Sequence, residues 1–339
     1  MSAAGALMAV LWVTVTGYAL LGGADFGAGI LHLLTPTGAR GRHVRGAIGG
    51  VIGPVWEANH VWLILFITGL LTIFPVALAA LGSALFAPAT IALLGLVVRG
   101  AAFAFAGQLT AADGVRRPLQ RLFGLASVLT PAMLGAVAGG LARQRLVVVD
   151  GTVRAGGGAG LWVGPFQALI AVLAVATCAA TAASFLVVEM ARAGEMRLAA
   201  RFRRQATWAL LASALLAVAA LLLSADEAPA LHAGLVGRAA PIVLGGPVVA
   251  LAALVALRAG RDRLARAAVA LFVVALVWGW GVAQFPRIVG PSLTVDDAAA
   301  APAELHAIAI ALAAGAALLV PALALLYGAW RREPPEVHA

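Results

Sequence analysis

QATWALLASALLAVAALLL, residues 205–223, holds no charged side chain over 19 consecutive positions. As a helix rising about 1.5 Å per residue it covers roughly 28 Å, close to the hydrocarbon thickness of a bilayer. Arg201, Arg203 and Arg204 precede it, and Asp226 and Glu227 follow it. A greasy segment fenced by charge on both sides reads as a membrane-spanning helix. Working outward, comparable stretches lie at 4–34, 47–72, 76–100, 119–142, 161–190, 240–257, 264–285 and 304–330. The weakest is 240–257, which Pro241 and Pro247 interrupt and Gly245 and Gly246 loosen. With 63% apolar and 11% charged residues and a mean hydropathy of +1.02, a water-soluble domain of this composition would aggregate. The expectation is an all-α membrane protein, a polytopic bundle of about nine transmembrane helices forming one membrane domain over residues 1–339.

The first apolar stretch lacks a basic leading region and a small-residue cleavage site, so it is expected to be retained as the first helix. Net charge is +9, all of the positive charge being Arg, with no Lys. Those arginines lie in short loops between the spans, which leaves no aromatic-interleaved basic surface for nucleic acid. With the N-terminus outside, 17 of them fall on inner segments and 5 on outer loops. The positive-inside rule then places the N-terminus outside and the C-terminus in the cytoplasm. The lone cysteine, Cys178, lies mid-span and supports neither a disulfide framework nor a thiolate metal site. The connecting loops are short, the longest being a Gly-rich segment at 143–160 and an acidic one at 286–303. No fixed-period repeat is present.

Ionisable groups at bilayer depth cost roughly 3 kcal/mol on insertion scales, so each needs a partner or a purpose. Asp25 stands in Gly22-Gly23-Ala24-Asp25-Phe26-Gly27-Ala28-Gly29, where Gly23 and Gly27 make a small-xxx-small face for close helix approach. Its carboxylate is expected to face protein, either neutralised by an Arg as a packing element or linked to protons. The densest constellation is GPVWEANHVWL at 53–63. Pro54 starts or kinks a helix, and helical spacing sets Glu57 and His60 on one face. A carboxylate beside an imidazole can relay protons; the plainer reading is a wet Glu57 at a helix end, with Trp56 and Trp62 in an aromatic belt. His60 as a haem ligand would need a second buried His, and the other five lie near span ends or in the tail.

Arg99 is expected to reach for phosphate headgroups, its rival role being a counter-charge for Asp25 or Glu57. Glu189 beside Arg192 reads as an interfacial ion pair, and Trp278 and Trp280 as markers of the outer interface.

Residues 17–29, GYALLGGADFGAG, together with GPVWEANHVWL at 53–63 resemble the first- and second-helix signatures of subunit II of the cytochrome bd quinol oxidases. Arg99-Gly100-Ala101-Ala102-Phe103, Met190-Ala191-Arg192-Ala193-Gly194-Glu195, Phe285-Pro286 and Pro291-Ser292-Leu293-Thr294 are similar to further segments of that family. The resemblance implies a haem-free subunit of a complex in the bacterial cytoplasmic membrane that oxidises quinol and reduces dioxygen to water. Two haems b and one haem d would belong to the partner, subunit I, and a small single-helix accessory subunit is a further candidate partner. It also implies a proton path through Glu57, a structural or proton-linked role for Asp25 and oxygen access past Trp62; His60 is a proton-path candidate from its spacing to Glu57. Many members follow the Arg-Gly-x-Ala-Phe segment with an acid and another Arg; here Ala104-Phe105-Ala106-Gly107 stands instead, so no role of that pair transfers. The competing reading from the residues is a proton-coupled secondary transporter, which should show two halves with paired broken helices.

Overall fold

The structure is a computed structural model that describes residues 2–52, 56–109, 114–149 and 152–330. Helices dominate, in the order α1 (Ala3–Gly17), α2 (Gly23–Leu33), α3 (Ala39–Ile52), α4 (Trp56–Ile73), α5 (Pro75–Ala84), α6 (Phe86–Gln108) and α7 (Arg116–Ala142). After a hairpin of β1 (Val147–Val149) and β2 (Thr152–Ala155) come α8 (Ala159–Trp162), α9 (Pro165–Arg192), α10 (Met196–Glu227) and α11 (Pro229–Val236). The chain closes with α12 (Ala240–Arg258), α13 (Asp262–Gln284), β3 (Arg287–Val289), β4 (Leu293–Thr294), α14 (Val295–Ala298) and α15 (Pro302–Trp330).

Among the described residues eight helical segments are long and apolar enough to cross a membrane, and a bent pair, Asn59–Ile73 with Pro75–Ala84, makes up to nine. That pair turns through 115° at Phe74. The cause is local: Pro75 has no N–H to donate, and its ring pushes the preceding residue out of helical geometry, as the φ −130°, ψ 58° of Phe74 records. The expected spans at 47–72 and 76–100 are therefore redrawn. Residues 47–52 end the Arg-bearing α3, and a break at Leu85 separates α5 from α6, which runs on to Gln108. The span expected to be weakest is one continuous helix: Pro241 sits in the first turn of α12, where its missing donor costs nothing, and Pro247 is absorbed within it.

The largest core lies where α2, α3, α9, α10, α12 and α13 meet, filled by Leu186, Met190, Phe202, Leu210 and Leu257. Outward positions such as Leu215, Leu222, Leu244 and Val248 are more than 60% exposed, as lipid-facing side chains should be. Arg203 of α10 holds Asp262 of α13 through two parallel bonds of 2.9 and 2.8 Å. The two long loops are folded rather than loose, and they are tied together. Val148 N donates to Ser292 Oγ (3.2 Å), and Arg287 donates to Gln144 Oε1 (3.1 Å).

Candidate functional site

The chain from Tyr18 to Gly22 winds as a π-helical turn between α1 and α2, an uncommon local geometry that favours functional sites. Asn59 of α4 donates its side-chain amide to Leu21 O in this turn (3.3 Å). Directly after it the Gly-rich α2 enters the interior. A Cβ at Gly27 would collide with the backbone carbonyl of Cys178, so α2 and α9 touch backbone to backbone there. At Gly23 the approach is looser, with Cys178 Sγ 3.7 Å from the position of an added Cβ.

This close seat buries Asp25, 5% exposed, and brings it against Arg99 of α6, 1% exposed. Arg99 Nη2 lies 3.0 Å from Asp25 Oδ1, an ion pair without the alignment of a hydrogen bond, and the same nitrogen donates to Asp25 O at 3.1 Å. Arg99 Nε donates to Ser127 Oγ of α7 (3.1 Å), which in turn donates to Phe123 O (2.7 Å). The rings of Phe26 and Phe123 stand 5.0 and 5.1 Å from the guanidinium carbon. The headgroup expectation for Arg99 is thus corrected. Counter-charge, hydroxyl and two ring faces supply inside the bundle what snorkelling would supply outside it.

His60 is half-buried and close enough to Asp25 to act on it electrostatically. Tyr18, in the π turn, is likewise within electrostatic reach of Arg99 and Asp25 and lays its ring edge against Phe26. Trp62 packs on Gly17, where an added Cβ would lie 2.7 Å from the indole. Among the described residues, the Tyr18 hydroxyl and the Trp62 Nε1 are buried without a hydrogen-bond partner. Glu57 lies in the first turn of α4, but its side chain, that of Trp56 and residues 53–55 lie outside the described residues, so the expected pairing of Glu57 with His60 does too.

The remaining expectations divide. Glu189 is paired with Arg192 as read (3.0 and 3.2 Å), and Arg266 of α13 adds a contact of 3.3 Å that spacing could not reveal. Trp278 and Trp280, expected at the outer interface, both contact α1. Trp278 Nε1 donates to Thr16 Oγ1 (3.0 Å) and Trp280 meets Trp12 edge to face at 5.3 Å, because α13 packs along α1. Tyr18 and Asn59 stood inside the two quoted motifs without being singled out; Ser127 gave no signal at all. Among the described residues no group of three or more His, Cys, Asp or Glu side chains could hold a metal ion.

Residues 4–330 match the family described as cytochrome bd terminal oxidase subunit II. The chain belongs to that family. The fold is similar to a chain in the structure of the bd oxidase from Geobacillus thermodenitrificans, with a TM-score of 0.80 and 25% identity over 97% of this chain and 99% of that one. In sequence, 102 residues are 37% identical to the cytochrome bd ubiquinol oxidase subunit 2 of Bacillus subtilis strain 168. That segment spans 30% of this chain and 28% of the relative. Membership of the subunit II family makes this a multi-pass membrane protein of a terminal oxidase family, and it gives no support to a transporter.

Proposed function

We propose that the chain is the haem-free subunit II of a quinol:oxygen oxidoreductase in the bacterial cytoplasmic membrane, not catalytic alone. The observation that carries this reading is the match of one subunit II family across residues 4–330. Two haems b and one haem d, held by a partner subunit I, supply electron transfer and dioxygen reduction; a single-helix accessory subunit completes the set of partners. The haem-free reading is supported by where the imidazoles are engaged. His232 Nδ1 lies 2.9 Å from Ser224 Oγ, His43 lies 3.7 Å from Glu195, and His32 meets the edge of Phe123. The N-terminus faces outside and the C-terminus the cytoplasm, supported by the 17 to 5 distribution of arginines.

Within the complex, Glu57 passes protons toward the haem-bearing partner, His60 and Asp25 tune the path, and Trp62 lines an apolar approach for dioxygen. Support comes from the cluster that gathers Tyr18, Asp25, Asn59 and His60 around the π turn. Arg99 is the counter-charge that makes a carboxylate tolerable at that depth. The test is Glu57→Ala in the assembled complex: oxygen consumption falls while haem content stays intact. Unchanged turnover would remove Glu57 from the path. The purified chain alone should show no Soret band, and a stoichiometric band would overturn the haem-free assignment.

A further inference from the structure

At the end of the bundle that carries the two hairpins, an open groove of about 480 Å³ is lined by Ala230, Ala233, Gly234, Arg238 and Arg287. Its geometry follows from the seat of α11. Gly234 lies so close to α13 that a Cβ would run into Ala283 O, and Ala230 and Ala233, one helical turn apart, leave the outer face of α11 bare. The two arginines are held in place by neutral groups. Arg238 Nη2 donates to Ala283 O (3.0 Å) and Arg287 Nη1 to Gln144 Oε1 (3.1 Å). Neither makes an ion pair among the described residues; of the two acids at this end of α10, Asp226 and Glu227, the second is paired with Arg143 at 2.8 Å. Each guanidinium therefore keeps free N–H donors and an uncompensated charge over one cavity.

Away from the groove, α12 shows lipid-exposed Leu244, Val248, Leu251 and Val255, spaced at 4, 3 and 4 residues along a single face. Arg238 lies two residues before α12, so a pair of cations near the head of that helix, together with its exposed apolar face, matches an amphiphile with an anionic head. We infer that this groove binds the phosphate headgroup of an anionic phospholipid, its acyl chain following α12. Paired guanidinium forks suit phosphate oxygens, and small residues on α11 make room for the glycerol. This site is separate from the Asp25–Arg99 cluster and does not depend on the oxidase reading.

The experiment uses the complex purified with this chain, delipidated and then titrated with phosphatidylglycerol, phosphatidylcholine or inorganic phosphate, with bound lipid read by native mass spectrometry and phosphate by equilibrium dialysis. Phosphatidylglycerol is expected to occupy the wild-type complex and to lose about tenfold in affinity in Arg238→Gln/Arg287→Gln, as removal of charge-assisted bonds demands. Ala233→Trp, which fills the groove and leaves both arginines, should lose it as well; this variant decides the matter if the double variant fails to assemble. Phosphatidylcholine should bind more weakly than phosphatidylglycerol. Binding of inorganic phosphate that both variants abolish, with phosphatidylglycerol retention unaltered, would keep the phosphate site but overturn the lipid as its occupant. Equal retention of phosphatidylglycerol, and no phosphate binding, in all three proteins would overturn the proposal.

Discussion

Two ion clusters, both built around one acid, behave differently because of where they lie. Asp25, in the first turn of α2, and Arg99, inside α6, are 5% and 1% exposed and boxed by Phe26, Phe123 and Ser127. Glu189, itself 9% exposed, lies in the last turn of α9 between Arg192 and Arg266, whose side chains are 37% and 22% exposed. There the two part-exposed arginines can turn to water when the carboxylate is neutralised, so its removal costs little. In the interior neither can, and loss of one charge strands the other. The difference teaches that the same Arg–carboxylate chemistry leaves its cations adjustable where they border solvent and makes an obligatory unit where both partners are enclosed.

Arg99→Leu, which strands Asp25, should produce the largest effect. A loss of about 3–5 kcal/mol is expected, read as a lower melting temperature of the detergent-solubilised complex. Asp25→Leu together with Arg99→Leu should recover most of it, and no recovery would mean that the pair is not one unit. Next is Gly27→Val, which forces α2 from α9 and should cost about 1–3 kcal/mol by the same melt. Glu189→Gln should cost no more than about 1 kcal/mol, and the difference from wild type should shrink at high salt. A loss as large as that of Arg99→Leu would erase the contrast.

The smallest effect concerns Asp297, whose carboxylate is held below the ordinary range by hydrogen bonds from the Thr294 hydroxyl and N–H in a capping box. A depressed carboxylate contributes stability that is complete above its unfolded value of 3.8 and is lost as pH falls through the lower folded value. Asp297→Asn should flatten only that acidic portion of the stability profile of the hairpin end.

The apolar runs were legible because length and hydropathy suffice to locate a lipid-facing helix, whatever it packs against. Asp25 could be read as protein-facing from Gly23 and Gly27, since a helix face without side chains invites a neighbour. The identity of that neighbour, α9, could not be read, because contact across 150 residues leaves no periodic trace. Arg99 was misplaced for a related reason. A sequence shows how far a side chain can reach toward headgroups, but the competing partners, Ser127 and two aromatic faces, come from other helices. The π turn at Tyr18–Gly22 has no compositional mark, whereas the break at Phe74-Pro75 falls at the expected span boundary between 72 and 76 and only its 115° angle was not legible.

That bend has a consequence for biogenesis. Where α4 stops at Ile73, its terminal carbonyl accepts the backbone N–H of Ala300 at 2.9 Å. Ala300 leaves the ribosome long after Ile73, and until it does that helix-terminal carbonyl has to be satisfied by other groups. The end of α4 therefore takes its final hydrogen bond only once the chain has been made as far as Ala300, and a protein truncated before Ala300 would lack that closure.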